Sequence, residues 1–243
     1  MSIRKMVLRA GALAVSLLFL STCSFFDTVI GFFDTMNGVV ASFPFNGNAD
    51  DESRRGNDGT VHGATLVADR HGRPDSAYSF DGIDDYIDAG DAEMLNTGEA
   101  LSITAWVYVR SFTTTWPPIV KKNGSGAAEY TGYSLECNNI GPHFGFYVCL
   151  DGPDLLGQSG VAYSPGRWYF VAGVYDGTSC RIYLDGELAS SQPFTGGLIP
   201  STNHLCIGWD PYHSDRYFDG VIDDIYIFDR ALAGFEVEAL SHR

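Results

Sequence analysis

Residues 78–88 read Tyr-Ser-Phe-Asp-Gly-Ile-Asp-Asp-Tyr-Ile-Asp, and we expect the rest of the chain to be organised around them. Tyr78 and Phe80 alternate with polar neighbours, which is the pattern of a half-buried strand. Asp81-Gly82 then predicts a reversal, because both residues adopt positive φ at low cost. Tyr86 and Ile87 resume a strand, so the stretch predicts a β-hairpin with an acidic turn.

The overall composition favours an all-β protein. The chain has 243 residues, 45% of them hydrophobic, which is enough for one sizeable core. Its 28 glycines, 13 tyrosines and 16 phenylalanines favour many short strands joined by tight turns. Only residues 231–240 have a helix-like pattern, which excludes a parallel α/β sheet. Further strands are predicted at 39–45, 60–64, 101–109, 132–137, 144–150, 167–175, 180–184, 204–209 and 220–228.

The amino terminus resembles an export signal. Arg4, Lys5 and Arg9 precede an apolar run at 10–20 that is too short to span a bilayer comfortably. Leu20-Ser21-Thr22-Cys23 resembles a bacterial lipobox, which predicts lipidation of Cys23; ordinary secretion and an uncleaved anchor are the alternatives. We therefore predict a signal peptide at 1–23, a spacer at 24–37 and one domain at 38–243. Such a protein is exported, either to an outer membrane or cell surface as a lipoprotein or by secretion.

The charge of the chain limits its partners. The formal net charge is −15, and the part after the signal retains all 30 acidic residues. A surface of this kind repels phosphate backbones, which argues against nucleic acid as a partner. It is compatible with cation binding, although excess acid also serves solubility alone.

Four cysteines follow the lipobox, namely Cys137, Cys149, Cys180 and Cys206. An even number in an exported domain predicts two disulfides, and the spacing matches no zinc motif. Strand alternation places Cys137 and Cys180 on inward faces and the other two out of phase with their apolar neighbours. Three connectivities are possible, of which the pairs Cys137–Cys180 and Cys149–Cys206 would respect these faces.

Several motifs occur in order along the chain, namely Phe45-Asn46-Gly47-Asn48-Ala49, Gly56-Asn57-Asp58-Gly59-Thr60, residues 77–87, Ile103-Thr104-Ala105-Trp106, Ile182-Tyr183-Leu184-Asp185-Gly186 and residues 220–227. Together they resemble a bacterial laminin G-like jelly roll of the concanavalin A-like superfamily. The similarity covers about residues 39–240 and implies two packed antiparallel sheets. It implies glycan-binding or adhesive function in an exported protein, often with bound calcium.

A structural calcium is predicted where the first loop meets the last strand. Asp223 is in phase with Val221 and Ile225, so its carboxylate points toward an apolar face and needs donors or a metal. Calcium prefers several oxygen ligands, which the pair Asp223-Asp224 and the loop residues Asp51 and Asn57 would supply. The alternative is that Asp223 accepts backbone hydrogen bonds at a bulge. A second acidic cluster, Asp81, Asp84 and Asp85, is better explained by turn hydrogen bonds.

Aromatic residues outside regular strand patterns are candidates for stacking on sugar rings. One group is the loop at 209–217, from which we select Trp209, Tyr212, His213 and Asp215; the other is Trp116. The alternative is that these rings cap the ends of the sandwich. Trp106 and Trp168 lie within apolar strands and are predicted to belong to the core.

No catalytic motif is present in the sequence. Glucanases of this fold usually carry Glu-x-Asp-x-x-Glu on one strand, and no such run occurs here. The predicted function is therefore noncovalent binding of a glycan or cell-surface polysaccharide, with membrane attachment through the lipid anchor. The alternatives are a structural or adhesive protein that binds another surface protein and, less favoured, a divergent glycosidase.

Overall fold

The computed structural model describes residues 36–111, 115–124, 131–138, 142–152, 156–213 and 215–243. The predicted signal peptide, Cys23 and nearly all of the predicted spacer lie outside these ranges. Gly38–Arg243 form one compact unit. Among the described residues, no helix has both the length and the apolar character needed to cross a bilayer.

The compact unit consists almost entirely of strands. One helix, α1 (Gly234–Ser241), and one short 3-10 turn, Glu93–Leu95, are present among the described residues. The strands are β1 Val39–Phe43, β2 Thr60–His62, β3 Thr65–Val67, β4 Ala77–Asp81, β5 Tyr86–Asp88, β6 Leu101–Val109, β7 Pro118–Gly124, β8 Thr131–Asn138, β9 His143–Cys149, β10 Leu156–Ala162, β11 Trp168–Tyr175, β12 Ser179–Leu184, β13 Glu187–Pro193, β14 Cys206–Ile207 and β15 Asp219–Phe228.

The strands form two antiparallel sheets. The eight-stranded sheet has the order β13-β12-β11-β6-β15-β4-β3, and β1 also pairs with β15. The seven-stranded sheet has the order β10-β9-β8-β7-β14-β5-β2. This arrangement confirms the predicted two-sheet jelly roll. The predicted β8–β9 hairpin and the meander β11-β12-β13 are present as well.

The acidic turn at 81–85 joins the two sheets and does not close a hairpin. β4 pairs with β3 and β15, whereas β5 pairs with β2 and β14, so the predicted hairpin is wrong. The reversal itself is correct. Asp81 Oδ1 accepts hydrogen bonds from the backbone N–H groups of Ile83 and Asp84, and Asp85 Oδ2 accepts one from Asp81 N–H. Asp-Gly chemistry therefore predicts the turn, but the pairing partners are set by distant strands.

The core lies between the sheets and is rich in phenylalanine. Phe146 of β9 lies against Gly173 of β11, where a Cβ would approach the ring to within 2.2 Å. Trp106 and Trp168 are not in this core, contrary to prediction. Both are only partly buried; Trp106 packs on Phe170, and Trp168 packs on Tyr108. When a strand is apolar on both faces, its sequence does not show which face packs against the other sheet.

The predicted disulfides are absent from this structure. Cys137, Cys149, Cys180 and Cys206 are all free thiols and all buried. They lie on four different strands, β8, β9, β12 and β14. Burial raises the pKa of Cys149, Cys180 and Cys206 to about 12, which makes these thiols poor nucleophiles. Alternation along a strand predicts the face of a cysteine but not its neighbour across the sheets.

Candidate functional site

The seven-stranded sheet carries a continuous polar row on the face directed away from the core. Tyr133 and Leu135 of β8 are core residues, so Ser134 between them points to the opposite face. Three cross-strand pairs extend this row across the sheet. Lys121 of β7 pairs with Ser134 of β8, and Ser134 pairs with Tyr147 of β9. Tyr147 in turn pairs with Gln158 of β10. Residues from four strands are thereby placed side by side on the outward face.

Two aromatic rings contact each other on this face, near the β10 edge of the sheet. Trp116 and Tyr147 have their ring centroids 5.8 Å apart at 68°, and His143 lies 6.1 Å from Trp116. The φ of Trp116 is 60°, a conformation that bulky residues rarely adopt, and Pro117 restricts this backbone further. Strain of this kind is concentrated at functional sites.

A glycine allows the Tyr147 ring to lie along the sheet. Gly145, two residues earlier on β9, is opposite Glu136 of β8. A Cβ at Gly145 would come within 2.6 Å of the Tyr147 ring. The missing side chain therefore leaves the space that this ring occupies.

The rings separate two cavities, which we call together the aromatic groove. Trp116 and Tyr147 line both of them. The first cavity has a volume of about 470 Å³, and its other lining residues include His143, Gln158, Gln192 and Phe194. The second has a volume of about 360 Å³, and its other lining residues include Asn123, Ser134, Glu136 and Arg216.

Two polar atoms in the second cavity have no hydrogen-bond partner in the described part of the chain. These are Oγ of Ser134, on a residue with 0% exposure, and Oδ1 of Asn123. A buried polar atom without a partner is costly, and such atoms call for an explanation. A polar ligand in the groove would supply the missing hydrogen bonds.

A buried ionic cluster forms one end of the groove. Nζ of Lys121 lies 3.1 Å from Oε1 of Glu136 and 2.9 Å from Oδ2 of Asp210. Asp210 is fully buried and also binds His213 Nδ1 at 3.0 Å and Arg216 at 3.4 Å. Burial opposes the ionised form of Asp210, but Lys121 and the surrounding hydrogen bonds bring its pKa below the usual value. The cluster thereby fixes Asp210, His213 and Arg216 to β7.

The predicted ligand residues are only partly brought together. Trp116 lies in the groove, and His213 contacts the ionic cluster through Asp210. Trp209 instead stacks on Tyr217 at 5.9 Å and packs against Tyr86 at 4.5 Å with a tilt of 41°, so other rings partly cover it. Tyr212 donates a hydrogen bond to Oδ1 of Asn203, and Asp215 is exposed. Neither residue is among those that line the two cavities.

Sequence reasoning missed most of the groove. Tyr147, Glu136, Gln158 and Arg216 were not selected, although all line it. One signal was available, because Tyr147 is an aromatic residue at an outward position between Phe146 and Val148, both fully buried. The other residues have ordinary strand and loop contexts.

The loop residues of the predicted calcium site lie together in a hydrogen-bonded hub. Oδ1 of Asp51 accepts from the backbone N–H groups of Ser42 and Ser53. Its Oδ2 accepts from the Ser53 hydroxyl and from both the backbone N–H and the side-chain amide of Asn57. Both carboxylate oxygens are therefore occupied, while Oδ1 of Asn57 is buried without a partner among the described residues.

The other two predicted calcium ligands, Asp223 and Asp224, form ion pairs with Arg70. Arg70 binds Asp223 at 2.6 Å and Asp224 at 2.8 Å, and its guanidinium packs 4.5 Å from the Trp106 ring. Burial and the adjacent Asp224 raise the pKa of Asp223 to about 7, which Arg70 opposes. None of the residues that hydrogen-bond to the carboxylate of Asp51 binds Asp223. Among the described residues, the carboxylates of Asp51, Asp223 and Asp224 do not form a group close enough for one ion. The four predicted ligands therefore do not fit a single calcium, and no calcium is expected at them.

The described residues contain one acidic cluster compact enough for a metal, formed by Asp81, Asp84 and Asp85. Its members form the turn hydrogen bonds given above, in agreement with the expectation of turn chemistry. Burial and the Asp81 carboxylate raise the pKa of Asp85, which lies against Gly63. We assign no metal to this turn.

The sheets and the groove define a β-sandwich with a ligand-sized groove on the outer face of one sheet. The chain belongs to the concanavalin A-like lectin/glucanases superfamily, whose family model matches residues 80–238. No curated protein matches it.

Solved structures with the same fold include binding domains of several kinds. Domain 4 of an extracellular arabinanase from Geobacillus stearothermophilus, in complex with arabinotriose, has a TM-score of 0.63 and 17% identity over 84% of this chain and 98% of that domain. The binding domain of Paraclostridial Mosquitocidal Protein 1 has a TM-score of 0.68 and 15% identity over 85% of this chain. The botulinum neurotoxin serotype G binding domain has a TM-score of 0.66 and 16% identity over 84%. The chain spans about half of each toxin domain, 52% and 50%. At these identities the similarity shows the fold alone.

Proposed function

We propose that the protein binds carbohydrate noncovalently in the aromatic groove. The observation that carries this proposal is the combination of the Trp116 and Tyr147 rings with the unpartnered polar atoms of Ser134 and Asn123 in one cavity. The arabinanase domain with bound arabinotriose supports the choice of ligand class. Binding domains of the same fold in the two toxins support a binding role more generally.

The chemistry of the groove suits a sugar. A sugar ring has apolar C–H faces and hydroxyl groups that both donate and accept hydrogen bonds. Aromatic rings provide large contact area with few rotatable bonds, and a few placed polar groups give orientation. Glu136 accepts hydrogen bonds, Arg216 donates them, and Ser134 does both.

The ionic cluster favours binding over hydrolysis. A retaining glycosidase needs a carboxylic acid that holds its proton and a second carboxylate close by. Glu136 and Asp210 are the two buried carboxylates at the groove, and both bind the ammonium of Lys121. The lowered pKa of Asp210 keeps it ionised, so it is unsuited to act as a general acid.

A protein ligand is the second candidate, because two large apolar side chains that do not line the groove are exposed. Leu188 at the start of β13 is 55% exposed, and Phe235 of α1 is 73% exposed. Leu188 lines a separate cavity of about 590 Å³ beside Tyr183, Glu238 and His242. Exposed apolar side chains of this size are found at interaction surfaces.

Replacement of Trp116 by alanine is expected to weaken carbohydrate binding by at least about thirtyfold. A tryptophan at the centre of a binding site commonly contributes about 2 kcal/mol or more. The measurement is a glycan array on the domain at 38–243, followed by titration calorimetry with the best ligand for the wild type and Trp116→Ala.

Phe235→Ala is the matched control, because it also removes an exposed aromatic ring but lies outside the groove. It should leave the affinity for the glycan unchanged. Equal affinity of the wild type and Trp116→Ala would contradict the proposal. Capture of a protein partner that is lost in Phe235→Ala, with no glycan bound, would favour the second candidate.

Removal of calcium by a chelator is expected to leave the melting temperature of the protein unchanged. Arg70 already forms ion pairs with both Asp223 and Asp224, and internal donors occupy the carboxylate of Asp51. The measurement is thermal unfolding in EDTA and in millimolar calcium chloride, with magnesium chloride as the control salt. An increase that only calcium produces would restore the calcium prediction.

The proposal also includes export of the protein and lipidation of Cys23. The extracellular arabinanase domain of the same fold agrees with a protein that acts outside the cell. Metabolic labelling with a fatty-acid analogue, in the full chain and in Cys23→Ala, tests the anchor directly.

A further inference from the structure

The two halves of the aromatic groove share their central wall. Trp116 and Tyr147 line both cavities, so the rings stand in the middle of the groove and not at its end. A site for a terminal sugar would place its stacking rings in a pocket closed on one side. Here cavity volume continues on both sides of the rings.

The groove is longer than one sugar ring. Asn123 on β7 and Gln158 on β10 are separated by three strand spacings, or about 14 Å. Gln192 extends the first cavity to β13 of the other sheet. Polar side chains thus lie on both sides of the ring pair, Asn123 and Ser134 on one side and Gln158 and Gln192 on the other.

The charges within the groove balance one another. The cations Lys121 and Arg216 face the anions Glu136 and Asp210, and each of these four has an opposite charge at no more than 3.4 Å. The protein as a whole carries a net charge of −15. An anionic sugar would meet repulsion at long range, and a cationic sugar would find no unpaired carboxylate among the described groove residues.

On these grounds, and resting on the proposed carbohydrate-binding function, we infer that the ligand is an uncharged linear glycan bound by its internal units. The chain passes over Trp116 and Tyr147 and occupies the cavities on both sides of the rings. The unpartnered oxygens of Ser134 and Asn123 bind its hydroxyls in the second cavity, and Gln192 does so in the first.

The first experiment compares polysaccharides of different charge. The probes are neutral linear arabinan, xylan, mannan and β-glucan, the anionic polygalacturonate and the cationic chitosan, each tested by affinity electrophoresis. We expect binding to one or more of the neutral polymers. Oligosaccharides of the tightest neutral polymer are then titrated in order of length, with and without a bulky label on the reducing end.

The affinity is expected to rise at least tenfold from the disaccharide to oligomers of about four units, which span the groove, and the end label should change it less than twofold. Asn123→Ala and Gln192→Ala lie on opposite sides of the rings. Each should weaken binding of the long oligomer about three- to tenfold. Phe235→Ala should have no effect.

The outcomes separate this inference from the proposed function. Full affinity at the disaccharide, loss of binding on end labelling, or tightest binding to polygalacturonate or chitosan would overturn the internal, uncharged ligand. Carbohydrate binding that depends on Trp116 would still stand in those cases. Binding of none of the polysaccharides, or binding that Trp116→Ala leaves intact, would overturn both.

Discussion

Replacement of Lys121 by methionine is expected to lower the free energy of unfolding by about 3–5 kcal/mol. The ammonium of Lys121 is the shared partner of Glu136 and Asp210, and all three residues are buried. Methionine fills a similar volume but leaves two carboxylates without that counter-charge. The measurement is urea denaturation at neutral pH, followed by fluorescence.

A double-mutant cycle with Asp210→Asn distinguishes lost charge pairing from lost packing. Removing the Asp210 charge in the Lys121→Met background should recover about 1–3 kcal/mol, because neighbouring charged groups do not contribute additively. A loss below about 1 kcal/mol in Lys121→Met would mean that the cluster is not stabilising.

The same substitution should weaken carbohydrate binding. Asp210 binds His213 and Arg216, and it is itself bound by Lys121, which belongs to β7. Lys121 therefore acts as a positioning residue for the groove. Lys121→Met should therefore reduce the affinity for the glycan even at urea concentrations well below the denaturation midpoint, where the variant is still folded.

Replacement of Asp51 by alanine is expected to lower the free energy of unfolding by at least about 3 kcal/mol. The carboxylate of Asp51 accepts five hydrogen bonds from Ser42, Ser53 and Asn57. Each buried donor left without an acceptor costs about 1–3 kcal/mol. Asp50→Ala is the matched control, because Asp50 is exposed and its carboxylate accepts, among the described residues, one hydrogen bond, from Asn48; the substitution should change stability by less than about 0.5 kcal/mol. Similar losses in the two variants would contradict this role.

The Asp51 hub also predicts a pH dependence. Burial raises the pKa of Asp51, but the hydrogen bonds from Ser53, Asn57 and Ser42 outweigh this effect, and the pKa lies below the usual value of an aspartate. The Asp51 carboxylate therefore binds a proton less tightly in the folded protein than in the unfolded chain. Its contribution to the free energy of unfolding is complete above about pH 4 and is lost as the pH falls through the pKa of Asp51 in the folded protein. In denaturation series from pH 6 to pH 2, Asp51→Ala should therefore lose less stability than the wild type does.

Local sequence patterns were sufficient to predict the class of fold. Alternating apolar residues in β8 and β9 predicted both strands and their hairpin, because period-two patterns are local and nearest neighbours in the chain pair easily. The Asp-Gly dipeptides predicted the reversals in the same way. The reversal at 81–82 was predicted correctly, but the sequence carried no information on whether β4 and β5 would pair.

The site itself depends on the tertiary structure. Trp116 was recognisable as a ring without a strand pattern. Tyr147 and Glu136 meet it through the order of β7, β8 and β9, and Arg216 lies 100 residues after Trp116 in the sequence. Arg70 reaches Asp223 across a separation of 153 residues. Local patterns fix which way a side chain faces. Which side chains then share a surface depends on long-range strand pairing, and that pairing is selected by the packing of the whole sandwich.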